Sequence, residues 1–170
     1  MNKNYTKISK IKENDGSCIW KDEDYSFFIN KIDPNTEEYF LFELLYLGGL
    51  RVGEILALTP MDFNFKENTL TINKSLTYID GKATITSTKL LNDNRTIQLP
   101  KKLLNKIEYF IKNKNQIKTT TNLFSISRYK LNKILDDKCK KLNLPHRLLI
   151  SFRKTYKEKQ KENKIFNFAK

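Results

Sequence analysis

Apolar residues recur along this chain in two periods, and the change between them divides it. From residue 20 to 58 the spacing is helical. Tyr25, Phe28, Ile29 and Ile32 share one face of a segment that Asp22 or a neighbour can cap. After the turn Asp33-Pro34-Asn35-Thr36 a second helix is expected over 37–47. It is so dense in Tyr39, Phe40, Phe42, Leu44, Leu45 and Tyr46 that these side chains read as core rather than as a binding face. Gly48-Gly49 suits its end, because glycine enters the left-handed conformation without a side-chain penalty. Val52, Ile55 and Leu56 then belong to a third helix, with Arg51 in its first turn, that ends near Leu58, ahead of Pro60.

From residue 63 to 99 the period becomes two. The stretches 69–73, 83–87 and 95–99 alternate β-branched with polar residues and are expected to form a small three-stranded antiparallel sheet. Asp80-Gly81 marks one hairpin turn and Asn92-Asp93-Asn94 the other. Helical spacing returns over 101–115, with Leu103, Leu104, Ile107, Phe110 and Ile111 in one stripe. A further helix runs from a cap at Ser125 or Ser127 to Leu142, with Leu131, Ile134, Leu135, Cys139 and Leu142 inward. The expected class is therefore α+β and mainly helical. Residues 1–17 are polar, end in Asn14-Asp15-Gly16-Ser17 and read as a flexible segment; 18–160 read as one domain and 161–170 as a polar tail.

Composition narrows the function without settling it. At 170 residues the chain is long enough for one cored domain and short for two. Its formal charge of +13 points to a polyanionic partner or a solubility device. The surplus is local: residues 1–100 carry 12 Lys/Arg against 14 Asp/Glu, whereas 101–170 carry 20 against 5. Abundant Lys, Asn and Ile suggest an AT-rich genome, so the five arginines (Arg51, Arg95, Arg128, Arg147, Arg153) are more informative than any lysine. Cys18 and Cys139 are far apart and there is one histidine, so neither a disulfide framework nor a zinc site is expected. Without an apolar leader or a membrane-length run, a soluble cytoplasmic protein is expected, with no membrane partner.

The most chemically suggestive stretch is Gly48-Gly49-Leu50-Arg51-Val52-Gly53-Glu54-Ile55-Leu56-Ala57-Leu58. An arginine in a first helical turn is disfavoured by the helix dipole and lies close to free N–H groups, which invites an anion. Glu54, three residues on, can hold Arg51 in one rotamer. Two readings stay open: a helix-capping ion pair, or an anion-binding arginine.

This stretch resembles the first arginine box of the tyrosine recombinases, the phage-integrase family. There the arginine binds the scissile phosphate and the acidic residue three positions later steadies it. Trp20-Lys21-Asp22-Glu23 is similar to the segment that opens the family's catalytic domain, and Leu123-Phe124-Ser125 to a short segment ahead of a later helix. Ser87-Thr88-Lys89, followed by Asn94-Arg95-Thr96-Ile97-Gln98-Leu99-Pro100, resembles the hairpin whose lysine reaches the DNA minor groove and protonates the leaving 5′-oxygen. Taken alone, Lys89 reads as a solvated turn lysine; the resemblance implies the catalytic role. Arg95 either braces the hairpin or touches a phosphate. Arg153, in Ile150-Ser151-Phe152-Arg153-Lys154-Thr155, falls on the second phosphate-clamping arginine of a His-x-x-Arg box.

Two departures stand out. Ile150 occupies the histidine's place, and His146 lies four residues too early, in an expected loop. Tyr156 is the only tyrosine after Arg153, and at i+3 on the same helix it is tethered beside the clamp rather than opposite the leaving oxygen. The resemblance thus implies a partial integrase catalytic domain with Arg51, Lys89 and Arg153 as catalytic positions and Glu54 in support. No nucleophile is identified, and neither a metal nor another cofactor is implied. The implied partner is double-stranded DNA, with other recombinase subunits as further candidates. Lys130, Lys133, Lys140 and Lys141 form an outward face that either meets DNA phosphates, as Arg95 also can, or is simply solvated. The expected function is a DNA-binding remnant of a site-specific recombinase, unable to cleave alone. The rivals are a basic DNA-binding module or recombination modulator, and a product that does not fold stably.

Overall fold

The computed structural model describes residues 19–87, 94–114 and 118–168, with side chains as far as residue 162. Helix α1 (Asp22–Ile29) turns Tyr25, Phe28 and Ile29 inward, and its cap is Lys21, the residue before Asp22. Helix α2 (Glu37–Gly48) is buried along most of its length, as its run of large apolar residues requires. Gly49 ends it at φ +60° and returns its N–H to the Leu45 carbonyl at 3.2 Å. Helix α3 (Val52–Leu56) follows, and its N-cap is Arg51, which therefore precedes the first helical turn instead of lying in it.

The β region differs from the pattern expected of it. A 3-10 turn (Pro60–Asp62) leads to β1 (Phe63–Asn64), which pairs with β2 (Thr69–Ile72). β2 pairs with β5 (Arg95–Gln98), so the three-stranded antiparallel sheet has the order β1-β2-β5. Residues 83–87 are not in it. They fall in β4 (Lys82–Ser87), which pairs only with β3 (Lys74–Ile79) in a separate two-stranded hairpin. The turn Asp80-Gly81 has positive φ at both residues, +49° and +76°, the form that matches strand twist in a two-residue hairpin. The reason for the difference lies in register. Ile72 faces Arg95 while Lys74 faces Ser87, so β2 and β3 run on almost without a break while their partners are separated by residues 88–94. Alternation alone reports that a segment is extended, not which neighbour it takes.

Helix α4 (Lys101–Asn113) buries Leu103, Leu104 and Ile107. Helix α5 (Arg128–Lys141) is capped by Ser127, whose hydroxyl accepts the Lys130 N–H at 3.2 Å, and buries Leu131, Leu135 and Cys139. Burial pushes the Cys139 thiol up to about 11, so it behaves as a small hydrophobe. Helix α6 (Leu149–Phe168) packs on α2 and continues through the stretch expected to be a polar tail. Residues 1–17, the turn at Asn92-Asp93 and Lys89 lie outside the described residues.

One aromatic cluster ties the first described residues to the last helix. Trp20 stacks on Phe152 with centroids 5.1 Å apart and touches Phe28 at the same distance. Its backbone N–H donates to Thr155 Oγ1 at 2.9 Å and its indole N–H to Ser151 Oγ at 3.0 Å. Both rotation and register of α6 are fixed by these contacts, because Ser151, Phe152 and Thr155 are all buried.

Candidate functional site

Glu54 is the centre from which the site is built. Its side chain is fully buried at the third position of α3, and the carboxylate accepts the Arg51 backbone N–H at 2.7 Å, the returning half of a capping box. The same carboxylate accepts Arg51 Nη1 at 2.9 Å. From the other side Arg95 donates through Nη1 at 3.0 Å and Nη2 at 2.7 Å, a two-pronged pairing. The sheet explains why Arg95 reaches it. Cross-strand partners share a face, and Arg95 stands opposite buried Ile72. Burial would raise the Glu54 carboxyl, but the hydrogen bonds from Arg95 and from the Arg51 backbone more than offset this and hold it below the usual glutamate range.

Arg153 arrives from α6. Its Nη1 donates to the carbonyl of Gly49, two residues before Arg51. Tyr156, one turn further along, lays its ring against the same glycine: a Cβ built on Gly49 would meet the ring at 2.2 Å. Gly53 is a second close approach, where a Cβ would lie 2.6 Å from Ser75 Oγ and 2.8 Å from the Leu76 carbonyl. Lacking a side chain there, α3 can sit directly against β3.

These approaches leave an open pocket of about 310 Å³. Arg51, Arg153 and Arg128 line it, together with Ser75, Thr77 and Ile150. Arginines from three separate elements thus face one concavity, and its polar walls are hydrogen-bond donors suited to a tetrahedral oxyanion. A cavity of about 400 Å³ by Phe40, Tyr109 and Phe110 contains no arginine.

The expected site residues are distributed as follows. Arg51 and Arg153 share the pocket, Glu54 lies beneath Arg51, and Arg95 is on Glu54. Lys130, Lys133, Lys140 and Lys141 are exposed along α5 and do not line the pocket, and Lys140 pairs with Asp136 at 2.6 Å. His146 is exposed in the loop before α6. Ile150, at the position where the resemblance expects a histidine, is 52% exposed on the pocket wall. Sequence reasoning missed Arg128, Ser75 and Thr77. For Arg128 a signal existed, since it is one of only five arginines and directly follows the serine that caps α5.

Comparison with known proteins agrees with this architecture. No protein-family model matches the chain. The ICEBs1 integrase of Bacillus subtilis (strain 168) is 34% identical over 92 residues, which are 53% of this chain and 25% of that protein. The fold is that of the Tn1549 transposon integrase. One structure of that protein, solved with a circular intermediate DNA, superposes with a TM-score of 0.69 at 17% identity, covering 85% of this chain and 53% of the other. Another, with transposon right end DNA, gives a TM-score of 0.68 over the same shares. The chain is thus similar in sequence to one integrase over about half of its length and shares the fold of another. It spans a quarter of the curated relative and about half of the solved chains. Among the described residues no helix is long and apolar enough to cross a membrane.

Proposed function

We propose that this chain binds double-stranded DNA as part of a site-specific tyrosine recombinase catalytic domain, holding a backbone phosphate between Arg51 and Arg153. The observation that carries this is the shared pocket: two arginines 102 positions apart in sequence line one concavity beside the Gly49 turn. In this reading Glu54 orients Arg51, and Arg95 braces the hairpin through Glu54. Lys89 supplies a further cation from the segment between Ser87, which pairs with Lys74, and Arg95. Lys130, Lys133, Lys140 and Lys141 contact flanking phosphates in the cytoplasm, where further recombinase copies assemble on the same DNA.

The polypeptide of these 170 residues binds DNA without cleaving it by itself. Ile150 brings a hydrocarbon to the pocket wall where general acid–base assistance, worth about 10²–10⁴-fold, would need an imidazole. The hydroxyl of Tyr156 is an unsuitable nucleophile, because its ring is packed on Gly49, the residue whose carbonyl Arg153 holds, and attack must come from opposite the leaving oxygen.

The concentration of positive charge in residues 101–170 favours a second reading, a basic DNA-binding module in which the pocket is incidental. Fluorescence anisotropy with a labelled duplex separates the two. On the pocket reading Arg51→Ala weakens binding by roughly tenfold, more than Lys141→Ala does. If Lys141→Ala has the larger effect and Arg51→Ala only lowers thermal stability, the module reading replaces it. A denaturing gel of protein incubated with supercoiled plasmid tests the chemistry: no covalent protein–DNA adduct is expected, and a stable adduct would overturn the non-cleaving assignment.

A further inference from the structure

Five arginines stand against 27 lysines in this chain, and four of the five have partners inside the fold. Arg51 and Arg95 bond to Glu54, Arg153 to the Gly49 carbonyl, and Arg147 is buried over the Trp20 ring with Asp24 3.7 Å away. Arg128 differs. It is exposed, and among the described residues no hydrogen bond or ion pair holds it, yet it lines the same pocket as Arg51 and Arg153.

We infer that Arg128 is a third phosphate-binding arginine of this pocket. It engages the phosphodiester next to the one held between Arg51 and Arg153, so that the site grips two consecutive phosphates of one strand. This rests on the DNA-binding reading above. Charge is the first argument. Arg51, Arg95, Arg153 and Arg128 carry four positive charges, of which Glu54 and a single phosphodiester neutralise two, so a second phosphate can be matched. A DNA strand supplies the next anion about 3.4 Å further along the helix axis. Position is the second. Arg128 is the first residue of α5, whose first turn contains no acidic side chain, so the folded protein offers its guanidinium no local compensation. Residue type is the third: in a lysine-rich chain the planar fork of arginine suits two phosphate oxygens where an ammonium does not. The hydroxyls of Ser75 and Thr77 on the facing wall are further donors to the same strand.

The test uses the full chain, a labelled 30-base-pair duplex (about three helical turns) and a salt series. Arg128→Ala is expected to lower affinity roughly tenfold and to reduce the slope of log K against log salt by about one. Arg128→Lys restores the slope but not the affinity, since it returns the charge without the fork. Lys112→Ala, which removes a lysine paired with Glu108 on α4, is the charge-matched control and does neither. Alanine in an exposed first helical turn leaves the melting temperature unchanged, so loss of binding is not loss of fold. If Arg128→Ala behaves like Lys112→Ala while Arg51→Ala still weakens binding, this inference fails and the DNA-binding reading stands. If the wild-type chain shows no salt-dependent affinity, the DNA-binding reading fails first and carries this inference with it.

Discussion

A single carboxylate organises the cationic side of the pocket. Glu54 is fully buried and accepts from two guanidinium groups and a backbone N–H, so its charge is well satisfied. Replacing it leaves Arg95, three-quarters buried, facing an uncharged acceptor. Glu54→Gln is expected to cost about 2 kcal/mol of stability, below the full value for a buried pair because Arg51 is half exposed. Chemical denaturation of the two proteins at neutral pH measures this directly. The pH dependence follows from the sign of the shift. The folded carboxyl titrates below the ordinary glutamate value of 4.5, so the pairing contributes fully above that value and is lost as pH falls through the depressed one. The stability difference between wild type and Glu54→Gln should therefore shrink on acidification below 4.5. A difference that stays constant with pH would contradict the ion-pair account.

Among the elements, the contact between α2 and α6 positions the second arginine. Gly49 is left-handed and carries the Tyr156 ring on its Cα, so an alanine there meets two separate penalties. The conformation costs about 1–2 kcal/mol and the overpacking about 1–3. Gly49→Ala is expected to lose about 2–4 kcal/mol in urea denaturation, and the double variant Gly49→Ala/Tyr156→Ala to lose less than the sum of the singles. Strict additivity would mean that the ring does not press on that glycine. The Gly48-Gly49 pair had signalled this helix end in the sequence, and five of the six α-helices among the described residues are legible there as well, because their apolar stripes carry the helical period. What the sequence does not carry is partnership. The alternation in 83–87 and 95–99 identifies strands, yet nothing local says that β5 returns to β2 and leaves β4 to β3. The continuation of α6 beyond residue 160 was equally hidden, since a helix rich in Lys, Glu, Gln and Asn has no apolar stripe to announce it. The site divides in the same way. Arg51, Glu54 and Arg153 were singled out by the resemblance, and the fold brings Arg51 and Arg153 to one pocket, whereas Arg128 and the hydroxyl wall of Ser75 and Thr77 enter only when three elements are brought together.

For the molecule as a whole, the arrangement separates the strength of binding from its focus. On the proposed DNA-binding reading, the lysines of residues 101–170 would supply a broad positive field that attracts DNA from a distance and is screened by salt. The pocket at the Gly49 turn is a small region in which arginines converge, and it is where one phosphate would be distinguished from its neighbours. Carboxylates held below their usual range at Glu37 and Asp22, as well as at Glu54, tie distant segments to one another: Glu37 to Lys114 and the Ser125 backbone, Asp22 to Lys159. The most direct test of the account is a double-mutant cycle on Arg51 and Arg153, read as duplex affinity at fixed low salt. If both arginines hold the same phosphate, each alanine alone weakens binding and the pair falls short of additivity by at least about 0.5 kcal/mol. Independent, additive losses no larger than that of Lys141→Ala would mean that the two guanidinium groups do not act on one phosphate.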